Sequence, residues 1–141
     1  MPLKVLKKPG FYYVAYYRKE IDDFVDFRIM LETLSKPDTM DRDIIVDLTK
    51  STTVTDGEFT ILANVVKRFQ GTKRTLRIVT NNAIKNKFDT TNLFKVGNVE
   101  LHADHIALFE SLSRCQKIVS LEQQFAQSQG EAILEAATDQ S

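Results

Sequence analysis

Residues 43–71 read DIIVDLTKSTTVTDGEFTILANVVKRFQG. Ile44, Ile45, Val46 and Leu48 place apolar side chains on both faces of an extended chain, as a central strand in a covered, mainly parallel sheet requires. A polar loop, Thr49 to Val54, follows. Thr55-Asp56-Gly57-Glu58 then has the S/T-x-x-E form of a capping box, in which the Thr55 hydroxyl accepts from the Glu58 amide while the Glu58 carboxylate reaches back. The spacing predicts a helix from there. Phe59, Leu62, Val66 and Phe69 fall three and four apart in one apolar stripe, and Gly71 stops it. The first turn of such a helix turns unpaired N–H groups to solvent, an end that attracts anions and suits a regulatory charge. The plainer reading is that Thr55 and Glu58 cap a helix and do nothing else.

Upstream, Leu3 to Leu6 is a short edge strand and Lys7-Lys8-Pro9-Gly10 has the chemistry of a hairpin corner. Phe11 to Tyr17 reads as the next strand. It holds all four tyrosines, Tyr13 and Tyr17 on one side and Tyr12 and Tyr16 on the other, so one aromatic face must be partly exposed or covered by a partner. Asp22 or Asp23 caps a helix through Phe24, Phe27, Ile29 to Leu31 and Leu34, which Ser35-Lys36-Pro37 ends. The polar loop Asp38 to Arg42 leads back to the central strand.

Downstream, Thr72-Lys73-Arg74 enters a strand at Thr75 to Val79. Thr80-Asn81-Asn82 turns into a short helix, Ala83 to Phe88, with Ile84 and Phe88 facing the core. Leu93 to Val96 and Val99 to Leu101 read as a last strand broken at Gly97-Asn98. Asp104 caps a final helix whose buried rows are Ile106, Leu108, Phe109, Leu112, Ile118 and Leu121. Alternating strands and helices make this an α/β fold with a mainly parallel sheet. Residues 1–123 form the domain; 124–141, rich in glutamine, form a polar tail, helical or disordered.

With 141 residues, 43% hydrophobic and 27% charged, the chain has the makings of one domain with a real core. Nineteen basic and nineteen acidic residues cancel, so no global field favours nucleic acid or an anionic membrane. The single Cys115 excludes an internal disulfide and a four-thiolate metal site, which fits a reducing cytoplasm. The aromatic run at Phe11 to Tyr17 ends in Arg18-Lys19-Glu20, unlike an export signal. No apolar run reaches the roughly 18 to 20 residues that stable membrane insertion needs.

Catalytic patterns are sparse. His102 and His105 flank Asp104 and could share a metal only if Glu100 or another third ligand bent in. There is no G-x-S-x-G, no Cys beside either His, and no glycine-rich phosphate loop. The expectation is no enzyme, no cofactor and no metal. Asp22-Asp23 and Asp41 with Asp43 gain interest only where the fold brings them to Asp56.

The order of elements and several strings resemble a STAS domain, the fold shared by sulphate-transporter tails and bacterial anti-sigma factor antagonists. The match spans about residues 10 to 115. It rests on Ile45-Val46-Asp47-Leu48, on Thr55-Asp56-Gly57, on Leu76-Arg77-Ile78-Val79, and on Lys87-Phe88-Asp89-Thr90-Thr91-Asn92-Leu93-Phe94-Lys95-Val96, with Asn92 where glycine is usual. Glu20-Ile21-Asp22 is similar to the family's early G-x-L-D, with Lys19 in place of its glycine.

The resemblance implies about four turns of a right-handed strand–helix superhelix on a mixed, mainly parallel sheet, with no catalytic machinery. It also implies a cytoplasmic bacterial regulatory domain that docks on a protein partner, such as an anti-sigma-type serine kinase or phosphatase; a homodimer stays open. In the family, phosphorylation at the N-terminus of the helix after the central strand breaks docking. Here the acceptor position falls on Asp56, the family's preceding acid on Thr55 and its glycine on Glu58. Asp56 supplies one negative charge where phosphoserine supplies about one and a half to two. Either the module is unswitched at this site, or Thr55 is a displaced phosphoacceptor. The implied docking face is Ser51, Thr52, Thr53, Thr55, Asp56, Gly57 and Glu58, with Asp22 and Asn92 at neighbouring loop ends. The alternative is an accessory domain of a transport system, binding a lipid or small ligand on Tyr12, Tyr13, Tyr16 and Tyr17.

Overall fold

A computed structural model describes residues 2–36 and 42–122, with residues 114–122 as backbone alone. The apolar run at 44–48 becomes the middle of five strands: β1 (Leu3–Lys8), β2 (Phe11–Tyr16), β3 (Asp43–Asp47), β4 (Leu76–Val79) and β5 (Val99–His102). They lie in sequence order across one sheet, β1 antiparallel to β2 and the others parallel. The β1–β2 corner turns at Gly10, whose φ of 89° is open to glycine and costly for other residues.

Between the parallel strands run α1 (Asp23–Leu34), α2 (Asp56–Phe69) and α3 (Lys85–Asp89). Strand order advances in one direction only, so successive crossovers lay their helices on the same face. The core bears this out, as Phe27, Leu31 and Leu34 of α1, Ile61, Leu62, Val65, Val66 and Phe69 of α2, and Phe88 of α3 join one cluster. Val14, Tyr16, Ile44, Val46, Leu76 and Ile78 enter it from the sheet. Tyr16 stacks on Phe27 with ring centroids 4.0 Å apart. Each such side chain fully buried contributes roughly 1.5–3 kcal/mol. Gly71, at φ 76°, ends α2 as its sequence position requires.

Several expectations are corrected. β1 extends through Lys8. Ile29, read among the helix's apolar positions, is exposed. The stripe of α2 is wider than Phe59, Leu62, Val66 and Phe69, because Ile61 and Val65 are buried beside it. Leu93 to Val96 is not a strand: Lys95 N–H donates to the Asn92 carbonyl at 3.1 Å and Val99 N–H to the Val96 carbonyl at 3.1 Å, closing turns instead. What reads as a strand residue, Phe94, is drawn into an aromatic cluster, 4.9 Å from Phe59 and 5.2 Å from Phe88.

The chain divides at Asp104 into two compact units. The second opens with α4 (His105–Glu122), in which Leu108 is buried and Ile106, expected in a buried row, is exposed. The expectations for the side chains of Cys115, Ile118 and Leu121, for Pro37 to Asp41, and for the 124–141 tail lie outside the described residues. Among the described residues no helix is long and apolar enough to cross a membrane.

Candidate functional site

The carboxyl ends of β2 to β5 all point one way, and the loops that leave them gather at one end of the sheet. In open α/β sheets a ligand crevice forms where strand order reverses. Here it never reverses among the described strands, and the end of the sheet is built as a surface.

The loop after β3 is fastened at several points. Asn81 Nδ2 donates to the carbonyls of Thr49 (2.9 Å) and Ser51 (2.7 Å), and the buried Ser51 hydroxyl donates to the Tyr16 carbonyl at 3.2 Å. Asp47 accepts from the Thr49 amide (2.9 Å), the Thr49 hydroxyl (2.6 Å) and the Tyr13 hydroxyl. Such satisfied contacts hold an irregular loop in one conformation.

At the loop's end both halves of the capping box form. Thr55 N–H donates to Glu58 Oε1 at 2.9 Å, and Glu58 N–H donates to Thr55 Oγ1 at 3.2 Å. Glu58 is only 2% exposed; its other oxygen accepts the Tyr16 hydroxyl, and Arg18 lies 3.6 Å away. Burial, followed by the hydrogen bond to Glu58, pushes the Tyr16 phenol well above its ordinary value. Burial and Asp47 do the same to Tyr13.

Asp56, two residues before Glu58, is the opposite case. Its side chain is fully exposed, and Lys87 Nζ donates to its Oδ1 at 2.9 Å. Lys87 comes from α3, donates also to the Val54 carbonyl at 2.8 Å, and lies 5.6 Å above the Phe59 ring. The N-terminus of α2 thus presents an acid to solvent, steadied by one lysine.

The expected site residues separate on this geometry. Ser51, Thr52, Thr53, Thr55, Asp56, Gly57 and Glu58 are one continuous element, of which Ser51 and Glu58 are buried and the rest exposed. Asp22 is exposed on the turn after β2, which reaches the loop through Arg18, whose guanidinium donates to Thr53 Oγ1 at 3.1 Å. Asn92 is exposed beyond α3, and among the described residues no hydrogen bond joins its side chain to the loop. A Cβ added at Gly57 would meet only Thr55 Oγ1, at 3.9 Å, so sterics do not demand glycine there.

Other groupings fall apart. Asp43 sits at the amino end of β3, accepting from Thr75 N–H (2.9 Å) and Arg77 (2.8 Å), with the strand between it and Asp56. The tyrosine strand is not an open apolar face: Tyr16 is buried, Tyr13 is tied to Asp47, and Arg42 lies 5.6 Å from the Tyr12 ring. His102 Nε2 is 2.9 Å from Glu100 Oε1, and Glu100 also lies 3.4 Å from the buried Arg77. Among the described residues no group of three or more His, Cys, Asp or Glu is placed to hold a metal. A cavity of about 100 Å³ beside Thr80, Lys85, Phe88 and His102 is well below the roughly 300–1,000 Å³ of common ligand pockets.

Sequence reasoning missed Arg18, Asn81 and Lys87. The doubled asparagine at 81–82 was a signal of turn chemistry, but nothing local pairs Lys87 with an acid 31 positions away. No protein-family model, curated protein or solved structure matches the chain.

Proposed function

We propose that the chain is a STAS-like bacterial regulatory domain that acts in the cytoplasm by binding a protein partner through the Ser51–Glu58 element, without catalysis. The observation that carries this reading is Asp56. It is a fully exposed acid at the N-terminus of the helix after the central strand, on a loop fastened from three neighbouring elements. A preorganised loop costs little entropy to bind, and the helix dipole stabilises an exposed carboxylate at its N-terminus. The five-strand mixed sheet with helices between its parallel strands agrees with the architecture the resemblance implies.

On this reading Asp56 stands where a family member carries its phosphorylated hydroxyl, and the module is fixed in one charge state. Thr55 is the weaker acceptor, because its oxygen already accepts from the Glu58 amide as the helix cap. The partner is a protein of the anti-sigma-type serine kinase or phosphatase class. The test is incubation of wild type and Asp56→Ser with such a kinase and ATP, followed by intact-mass measurement. The expected result is one added phosphate on Asp56→Ser and none on wild type. Phosphate on Thr55 of the wild type would replace the unswitched account, and an unmodified Asp56→Ser would count against the assignment of the site.

A further inference from the structure

β1 is an outer strand of the sheet, and all six of its residues pair with β2 in one unbroken register. The Tyr17 amide donates to the Pro2 carbonyl at 3.0 Å, one step beyond the pairing of Leu3 with Tyr16. In an antiparallel pair hydrogen-bonded and open positions alternate, so Lys4, Leu6 and Lys8 direct their backbone groups to β2. The amides and carbonyls of Leu3, Val5 and Lys7 therefore point away from the sheet. Among the described residues no strand lies beyond them.

An open edge of this kind is a template for another strand, and its guard here is charge. Lys4 and Lys7 are exposed and Lys8 half-exposed, and among the described residues none of the three has an ion-pair partner. Pairing the β1 edges of two copies would bring both sets of lysines to one seam, which disfavours a second copy. An acidic strand meets the reverse. Leu3, Val5 and Lys7 lie on the face of the core cluster, against which Leu3 and Val5 pack, and Lys4, Leu6 and Lys8 lie on the other. The second row reads cation, aliphatic, cation. It matches a strand that offers acid, aliphatic, acid at alternate positions, and the match holds in either strand direction.

We propose that the β1 edge binds an acidic extended peptide segment as a further strand of the sheet. Its backbone bonds to Leu3, Val5 and Lys7, and its carboxylates lie beside Lys4 and Lys8. Main-chain bonds supply the affinity, and the charged and aliphatic row supplies the selectivity. The edge lies two strands from β3, whose loop carries Ser51–Glu58, so this site stands apart from that surface and does not depend on the regulatory reading above.

The probe is a capped, fluorescein-labelled peptide with Glu-Val-Val-Thr-Glu at its centre, titrated against the whole chain. Fluorescence anisotropy reads the affinity, and amide hydrogen exchange by NMR reads the backbone bonds. The expected result is saturable binding with slowed exchange at the amides of Leu3, Val5 and Lys7. Lys4→Glu/Lys8→Glu weakens that binding about tenfold or more, and the peptide with both glutamates changed to lysine binds this variant better than it binds wild type. Both positions lie outside the core cluster, so the variant should fold, which a circular dichroism melt checks. No binding at millimolar peptide overturns the proposal. So does binding that leaves the Leu3, Val5 and Lys7 amides unprotected, or that the double variant keeps at wild-type strength. Weakening without a preference for the reversed peptide overturns the pairing of carboxylates with Lys4 and Lys8.

Discussion

The two ends of the sheet treat charged side chains differently: the amino end buries Arg74 and Arg77, and the carboxyl end buries Asp47 and Glu58 but leaves Asp56 in solvent. At the amino end they are turned inward and consumed: Arg74, 7% exposed, donates to the carbonyls of Leu34 (2.7 Å) and Arg42 (2.7 Å) and lies 4.2 Å above the Phe69 ring. Arg77 closes on Asp43 beside it. At the carboxyl end Asp56, Thr52, Thr53 and Ile21 face solvent on loops whose backbones are fastened from beneath. One end ties helix termini to strands. The other holds a set of side chains in place without covering them, which is what a recognition surface needs.

Variants at the two ends should therefore differ in what they change. The largest effect belongs to Arg74→Ala, which strips the α1 carboxyl end of a charged donor and should destabilise by about 3 kcal/mol in urea denaturation. Glu58→Ala follows at about 2 kcal/mol, since it breaks the capping box and leaves the Tyr16 hydroxyl without its acceptor. A denaturation midpoint unmoved by either change would break the contrast between internal and presented charge.

Alkaline pH sharpens it further. Tyr13 and Tyr16 have folded pKa values above the unfolded one, so their contribution is complete below about pH 10 and is lost as pH rises toward the folded values. Stability should then fall by about 1.4 kcal/mol per pH unit for each tyrosine that only the unfolded state has ionised. Tyr13→Phe/Tyr16→Phe should flatten that decline, measured as midpoint against pH. Thr55→Ala should cost about 1 kcal/mol as a lost cap. Asp56→Asn comes last, leaving the thermal midpoint in place while altering partner binding; a large loss of stability would make Asp56 a structural residue like Glu58.

What the sequence disclosed follows the range of the forces involved. The central strand Asp43–Asp47 and the Thr55–Glu58 cap were legible because a short continuous apolar run and a capping box are local patterns. Asp56 and Glu58 are both acids in one helical turn, and the capping pattern alone does not say that one is sealed against Tyr16 while the other stands free. That difference comes from β2, more than forty positions upstream. Phe94 misled for the same reason: its neighbours have strand composition, yet the Phe59 and Phe88 rings determine where it goes. Arg74 reads as a loop residue and Arg77 as part of a strand, and only the folded register supplies the carbonyls and carboxylates that meet them.

The most direct test of the Ser51–Glu58 surface is affinity capture from the native cell lysate with wild type and Asp56→Ser as parallel baits, with mass spectrometry of the captured proteins. The account predicts a kinase, phosphatase or sigma-pathway protein, held to different extents by the two baits. Capture of the same proteins in the same amounts by both, or of membrane-transport components alone, would contradict it and make the Asp56 loop a structural feature only.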